Sequence, residues 1–171
     1  MKTLEDLIAE KIGELIHYVL VKKVKPDMTV GKVTELDEDA IKRLKEEYGI
    51  EGIILDVDET LRKEMKMIPK VNRDWIESLQ GQLKVIILSN GVDRKVENYF
   101  KERGITYIGF AHKPLRKNFL KACQQMELDP EQVLVIGDSL YDDVHGGKKN
   151  NMKTVLVTEV QGEKGAEENE R

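Results

Sequence analysis

Two aspartates stand two residues apart in Asp56-Val57-Asp58-Glu59-Thr60, directly after the apolar run Ile53-Ile54-Leu55. In an extended chain, side-chain alternation points both carboxylates to the same side. Ser89-Asn90-Gly91 closes a second apolar run, and Gly137-Asp138-Ser139 closes a third, with Asp142 and Asp143 close behind. His112-Lys113-Pro114 precedes an amphipathic stretch. Asp56, Asp58 and Asp138, if brought together, repel one another unless a cation lies between them. Oxygen-only ligands select a hard ion, and Mg²⁺ suits a site that also holds phosphate. The Ser89 hydroxyl, the backbone N–H groups of Asn90 and Gly91 and the Lys113 ammonium are the donors that non-bridging phosphoryl oxygens need. One of the paired aspartates can then attack phosphorus. The other can protonate the leaving oxygen and later take a proton from water. An isolated Asp-x-Asp is usually a turn or a cap. Here the clusters occur together and in order, beside apolar runs, and that combination carries the weight.

Such clusters need a scaffold that gathers strand ends. Residues 52–57, 84–89 and 132–137 are short runs rich in β-branched residues and apolar on both faces, as parallel strands covered by helices are. Residues 106–108 and 153–157 are weaker strands of the same kind. Helical patterns lie between them at 72–80, 92–103, 115–126 and, more briefly, 144–150. Alternating strands and helices with right-handed crossovers predict a three-layer α/β/α sandwich on a mainly parallel, Rossmann-like sheet. Ligands of such sheets bind outside the carboxyl ends of the strands. Ahead of the sheet, Leu4, Leu7, Ile8, Ile12, Leu15, Ile16, Val19 and Leu20 mark an amphipathic helix stopped by Pro26. Asp37 can cap a second helix that ends before Gly49. The chain therefore divides into a helical extension packed on or beside the core (1–50), a catalytic domain (51–158) and a disordered acidic tail (159–171).

Composition limits the rest. At 171 residues, 40% hydrophobic and 35% charged, the chain has the size and make-up of one globular domain. A net charge of −4 gives no electrostatic basis for nucleic-acid binding. The single cysteine, Cys123, cannot form an internal disulfide, and no Cys/His cluster has zinc spacing. Without a basic, then apolar leader or a run of ~18 apolar residues, the expected location is cytoplasmic. Cys123 and Trp75 read as packing residues. His17, His112 and His145 read as surface or pocket-lining residues and not as ligands. Lys148 and Lys149 read as solvated, with service to a polyanionic substrate as the alternative.

The series Asp56-x-Asp58-x-Thr60, Ser89, Lys113 and Gly137-Asp138 with Asp143 resembles the four motifs of the haloacid dehalogenase (HAD) superfamily of phosphohydrolases, over roughly 53–157. The resemblance implies Asp56 as nucleophile and metal ligand. Asp58 would be the acid/base, with its backbone carbonyl also reaching the metal, and Thr60 a brace of the loop. Ser89 and Lys113 would hold the phosphoryl group with help from the Asn90 and Gly91 amides. Asp138 would ligate Mg²⁺, and Asp143 would orient Lys113 or a metal-bound water. Asp142 competes with Asp143 for that last place. Within the superfamily, residues 25–157 resemble the subclass IIIA branch of phosphatidylglycerophosphate phosphatases. The chain departs from that branch at Glu59, Ser139, Asp142 and Lys148-Lys149.

Only 28 residues separate Thr60 from Ser89, and 23 separate Ser89 from Lys113. Those intervals leave no room for a cap domain. An open site must admit a large substrate, such as a lipid head group, or be covered by a second subunit of a homo-oligomer. The loop 61–69, with Arg62, Lys63 and Lys66 and with Met65, Met67 and Ile68, is the expected flap and specificity contact. For the first helix, packing ranks ahead of peripheral membrane contact. Phosphatidylglycerophosphate leads as substrate. A capless phosphatase for a sugar-acid or nucleotide phosphate is the alternative, and a phospho-accepting receiver module is a remote one.

Overall fold

The computed structural model describes residues 3–63 and 65–160, so most of the expected tail lies outside the described residues. Six strands form one sheet: β1 (Met28–Val30), β2 (Gly52–Leu55), β3 (Lys84–Leu88), β4 (Thr106–Ile108), β5 (Val133–Gly137) and β6 (Lys153–Val157). Their order is β1-β6-β5-β2-β3-β4, and every neighbouring pair is parallel, so the expected mainly parallel sheet is wholly so among the described residues. From β2 the chain steps outward through β3 and β4, and later returns to β2's other side with β5. That reversal makes the boundary between β2 and β5 the switch point at which an open α/β sheet binds its ligand.

The helices are α1 (Leu4–Lys23), α2 (Glu38–Tyr48), α3 (Lys70–Leu79), α4 (Arg94–Glu102) and α5 (Arg116–Met126). A helical turn over Leu140–His145 runs into Gly146–Lys148. Strand alternation divides the core in two. Ile53, Leu55, Ile87, Leu134 and Ile136 pack on one face with Ile41, Leu44, Trp75, Ile76 and Phe100. Ile54, Ile86, Leu88, Val133 and Val135 pack on the other with Phe119, Ala122, Cys123 and Met126. Cys123 is thus a core residue, its thiol pushed up to about 11 by burial.

Asp37 caps α2 by accepting the Ala40 N–H at 2.9 Å, and Gly49 ends it at φ +67°. β1 was not expected from the sequence, because three residues after a proline show no period. Tertiary pairing makes the strand: the Asp27 N–H donates to the Thr154 carbonyl at 3.0 Å, and the Thr154 N–H donates to Asp27 Oδ2 at 2.8 Å. Trp75, expected to anchor its helix on the sheet, also donates from Nε1 to the Leu36 carbonyl at 2.8 Å, fastening the segment ahead of α2. Along α1, Leu4, Ile8, Ile12, Leu15, Ile16 and Val19 stay 42–73% exposed. No described helix is long and apolar enough to cross a membrane. Only a loop joins β2 to α3 and only α4 lies between β3 and β4, so no cap interrupts the described residues.

Candidate active site

The strand ends deliver the predicted residues to one edge of the sheet. Asp56 directly follows β2, and its N–H donates to the Ile136 carbonyl of β5 at 3.0 Å, which fixes the first carboxylate beside Gly137-Asp138. The chain then folds back tightly: the Leu61 N–H reaches the Val57 carbonyl at 2.8 Å, and Glu59 takes φ +59°. This turn brings the Thr60 hydroxyl to Asp56 Oδ2 at 2.9 Å, with Asp138 Oδ1 at 3.3 Å. Thr60 thus touches the carboxylates at two strand ends at once.

Lys113 lies at the centre. Its side chain is 3% exposed, and Nζ donates to Asp56 Oδ1 and to Asp143 Oδ1, each at 2.6 Å. Burial opposes a charge on Lys113, but Asp143 and Asp56 outweigh it and raise its pKa. Asp143 is held further by the Ser139 N–H on Oδ2 at 3.1 Å. Its approach explains Gly137, since a Cβ there would fall inside the Asp143 carboxyl group. Between the two adjacent candidates, Asp143 is the residue inside the cluster. Asp142 is half-buried and accepts from Asn90 Nδ2 at 3.3 Å.

The carboxylates of Asp56, Asp138 and Asp143 offer oxygens within 4.8 Å of one another. Burial, then the Asp56 charge, raises the Asp138 carboxyl to about 6. Burial likewise raises Asp143, to about 7, against the pull of Lys113. With one ammonium among three carboxylates, the cluster is short of positive charge. Its all-oxygen donor set fits a hard divalent cation. Asp58, expected at this centre, is not among the three grouped carboxylates: its Oδ1 accepts from Arg62 Nε at 2.9 Å.

Ser89 is buried at the end of β3, and its Oγ accepts the Gly91 N–H at 3.2 Å. Asn90 was expected to lend an amide only. Its side chain also accepts the Lys113 N–H at 2.7 Å, locking the Lys113 loop to the Ser89 loop. Two expectations about outlying residues are corrected. Arg62 and Ile68 are buried and face inward, whereas Lys63, Met65, Lys66 and Met67 stand out to solvent. Lys148 pairs with Asp27 at 2.6 Å, beside the start of β6, and so lies toward the opposite end of the sheet from the site. Of the histidines, His145 stacks on Tyr141 with ring centroids 5.7 Å apart, and the His17 side chain lies outside the described residues. A groove of about 720 Å³ opens beside Asp138, between Glu59, Lys63, Leu140 and Thr158.

Residues 110–171 match a family described as HAD-hydrolase-like. The chain is 35% identical over 145 residues to the probable phosphatase YqeG of Bacillus subtilis, a match covering 83% of this chain and 81% of that protein. A glyceraldehyde 3-phosphate phosphatase of Pyrococcus furiosus is 34% identical over 61 residues, covering 36% of this chain and 25% of that protein. In fold the protein is similar to a HAD family enzyme of Bacteroides thetaiotaomicron solved in complex with magnesium and inorganic phosphate. The TM-score is 0.55 at 14% identity, over 67% of this chain and 97% of that one. A hypothetical protein of Xanthomonas campestris is similar at a TM-score of 0.54 and 21% identity, over 75% of this chain and 74% of that one.

Proposed function

The chain belongs to the HAD-like phosphatase superfamily, and on that premise we propose that it is a Mg²⁺-dependent phosphomonoesterase working through an aspartyl-phosphate on Asp56, with phosphatidylglycerophosphate as its leading substrate. The observation that carries the reading is the buried Lys113 bridging Asp56 and Asp143 beside Asp138. Asp56, Asp138 and Asp143, together with the Asp58 carbonyl, are the proposed cation-holding groups. Bound there, Mg²⁺ supplies charge neutralisation for the phosphoryl oxygens.

Lys113, Ser89 and the Asn90 and Gly91 amides orient the phosphoryl group with phosphorus facing Asp56. Asp56 attacks; the bond from phosphorus to the ester oxygen breaks as Asp58 gives its proton to that oxygen, and the alcohol leaves. Asp58, now a carboxylate, takes a proton from water as the water oxygen attacks the aspartyl-phosphate. Phosphate departs, Asp56 is again a free carboxylate and Asp58 is again protonated.

An uncapped catalytic edge supports a large head group as substrate. The exposed apolar stripe of α1, a helix that touches the turn Leu140–His145 beside the site, supports work at a lipid surface from the cytoplasmic side. By sequence, Lys22, Lys23 and Lys25 near its end favour an anionic surface, and Glu5, Asp6, Glu10 and Glu14 oppose one. The similarity to glyceraldehyde 3-phosphate phosphatase over 61 residues favours a second reading, a small sugar-acid or nucleotide phosphate bound in a site that a homo-oligomer closes.

Phosphate release from an aryl phosphate, measured with and without Mg²⁺, tests the class. Turnover is expected only with the metal, and Asp56→Asn should bring it to background. A variant as active as the wild type rules the mechanism out, whereas a lasting phospho-Asp56 without phosphate release indicates a receiver. A panel of phosphatidylglycerophosphate in micelles, its short-chain analogues and soluble sugar phosphates tests the substrate. Preference for a soluble sugar phosphate excludes the lipid.

A further inference from the structure

Arg62 is a buried guanidinium, 3% exposed, that the steps above do not use. It is held from three sides: Nε donates to Asp58 Oδ1 at 2.9 Å, and Nη1 donates to Asp93 Oδ2 and to the Lys66 carbonyl, each at 2.8 Å. Asp93 is itself fixed, since its other oxygen caps α4 by accepting the Lys95 and Val96 N–H groups. So fastened, Arg62 cannot swing out to bind a phosphoryl group, and its free donors are few. We infer that Arg62 is a positioning residue for proton transfer: by occupying Oδ1 of Asp58 it confines the transferable proton to Oδ2 and aims that oxygen at the phosphoryl site. The inference rests on the reading of Asp58 as acid/base.

The geometry gives each half of this statement a separate basis. The Arg62 N–H on Oδ1 favours that oxygen as the carbonyl, because a carbonyl oxygen is a better acceptor than a hydroxyl, so a protonated Asp58 carries its hydrogen on Oδ2. Oδ2 faces the loop expected to hold phosphate: it lies 3.5 Å from where a Cβ at Gly91 would stand, and Ser89 Oγ lies 3.8 Å from the same point. A guanidinium's donors lie in one rigid plane, which a lysine ammonium's do not, so holding Nη1 on Asp93 and the Lys66 carbonyl fixes the direction in which Nε meets Asp58. The second carboxylate, Asp93, fixes that plane to the N-terminus of α4, so Asp58 is aligned against the sheet-flanking helix and not merely against its own loop.

A bracing role and a proton-positioning role separate by leaving group. An alkyl phosphate needs its leaving oxygen protonated, whereas 2,4-dinitrophenyl phosphate expels an ion stable without a proton. The value of kcat/KM reports the steps up to departure of the alcohol, so later hydrolysis of the aspartyl-phosphate does not blur it. With the holoenzyme in saturating Mg²⁺, Asp58→Asn should lower kcat/KM for glycerol phosphate by about 10²–10⁴-fold and for the dinitrophenyl ester far less. Arg62→Lys and Arg62→Met should show the same asymmetry, with losses of about 10–100-fold confined to the alkyl ester, a fraction of a full general-acid loss. Asp93→Asn retains a capping oxygen and should show it more weakly. Should Arg62→Met fail to fold, Arg62→Lys and Asp93→Asn carry the comparison. Equal losses on both esters in the Arg62 variants, alongside an asymmetric Asp58→Asn, overturn the role of Arg62. A symmetric Asp58→Asn overturns the acid/base reading beneath it.

Discussion

The two ends of the sheet treat charge in opposite ways. At the carboxyl end, Lys113, Asp56, Asp143 and Arg62 are nearly removed from water and are held by contacts of 2.6–2.9 Å. Toward the amino end, Asp27 meets Lys148 at 2.6 Å and Lys153 at 3.7 Å with all three side chains still 29–42% exposed. Removing ions from water costs several kcal/mol each, and their attraction offsets this only when geometry is close and every lone pair is used. Solvated pairs avoid that cost and return little. The carboxyl end therefore concentrates stored electrostatic free energy where phosphoryl transfer needs it, and the amino end uses charge to fasten β1 beside β6.

Breaking the carboxyl end should have the larger consequence. Lys113→Met leaves Asp56 and Asp143 buried without their cation, which should cost about 3–5 kcal/mol in chemical denaturation without metal. Mg²⁺ should recover part of that stability but not turnover, because phosphate loses its buried donor. Full activity in this variant would separate Lys113 from the chemistry.

A smaller effect is expected from pH. The Asp138 carboxyl is raised by burial and by Asp56 to about 6, above the ~3.9 of an unfolded aspartate. A raised carboxyl stabilises the fold fully below its unfolded pKa and loses that contribution as pH rises through the folded value. In EDTA the melting temperature should therefore fall between about pH 4 and 6.5, with Asp143, raised to about 7, extending the fall. Added Mg²⁺ should raise the melting temperature more at pH 7.5 than at pH 5, where protons compete for the same oxygens. An equal metal effect at both pH values would place the cation elsewhere. Least of all should follow from Lys148→Ala, about 0–1 kcal/mol of stability with kcat/KM unchanged, since its pair is half-solvated and lies away from the site. A large loss of activity there would show that the two ends are coupled.

Much of the site was legible because it sits on local signals. Asp56, Ser89 and Asp138 each follow an apolar run directly, so finding the strand finds the residue. Thr60 is reached by a turn of four residues and was also legible. Arg62 was not. It lies in an irregular loop where no period says which way a side chain points, and its partner Asp93 is 31 residues away. A long basic side chain in a loop defaults to solvent, and only two half-buried carboxylates, Asp58 and Asp93, reverse that default. Asn90 was half legible: its place in the motif was plain, but its hold on the Lys113 N–H depends on two loops meeting.

Apart from β1, which pairing with β6 makes, the sequence alone determined the strands and main helices and what stands at their ends, because hydrophobic period, capping residues and turn residues act over a few neighbours. It also set the short intervals that leave no room for a cap. Tertiary structure decided which charges meet. Lys113 joins Asp56 across 57 residues and Asp143 across 30, and the sheet order that places β5 beside β2 brings them together. The choice of Asp143 over Asp142 is of the same kind. Adjacent residues of identical chemistry differ only in which side of the turn Leu140–His145 they occupy, and the packing of that turn over Gly137 puts one inside and leaves the other at the surface.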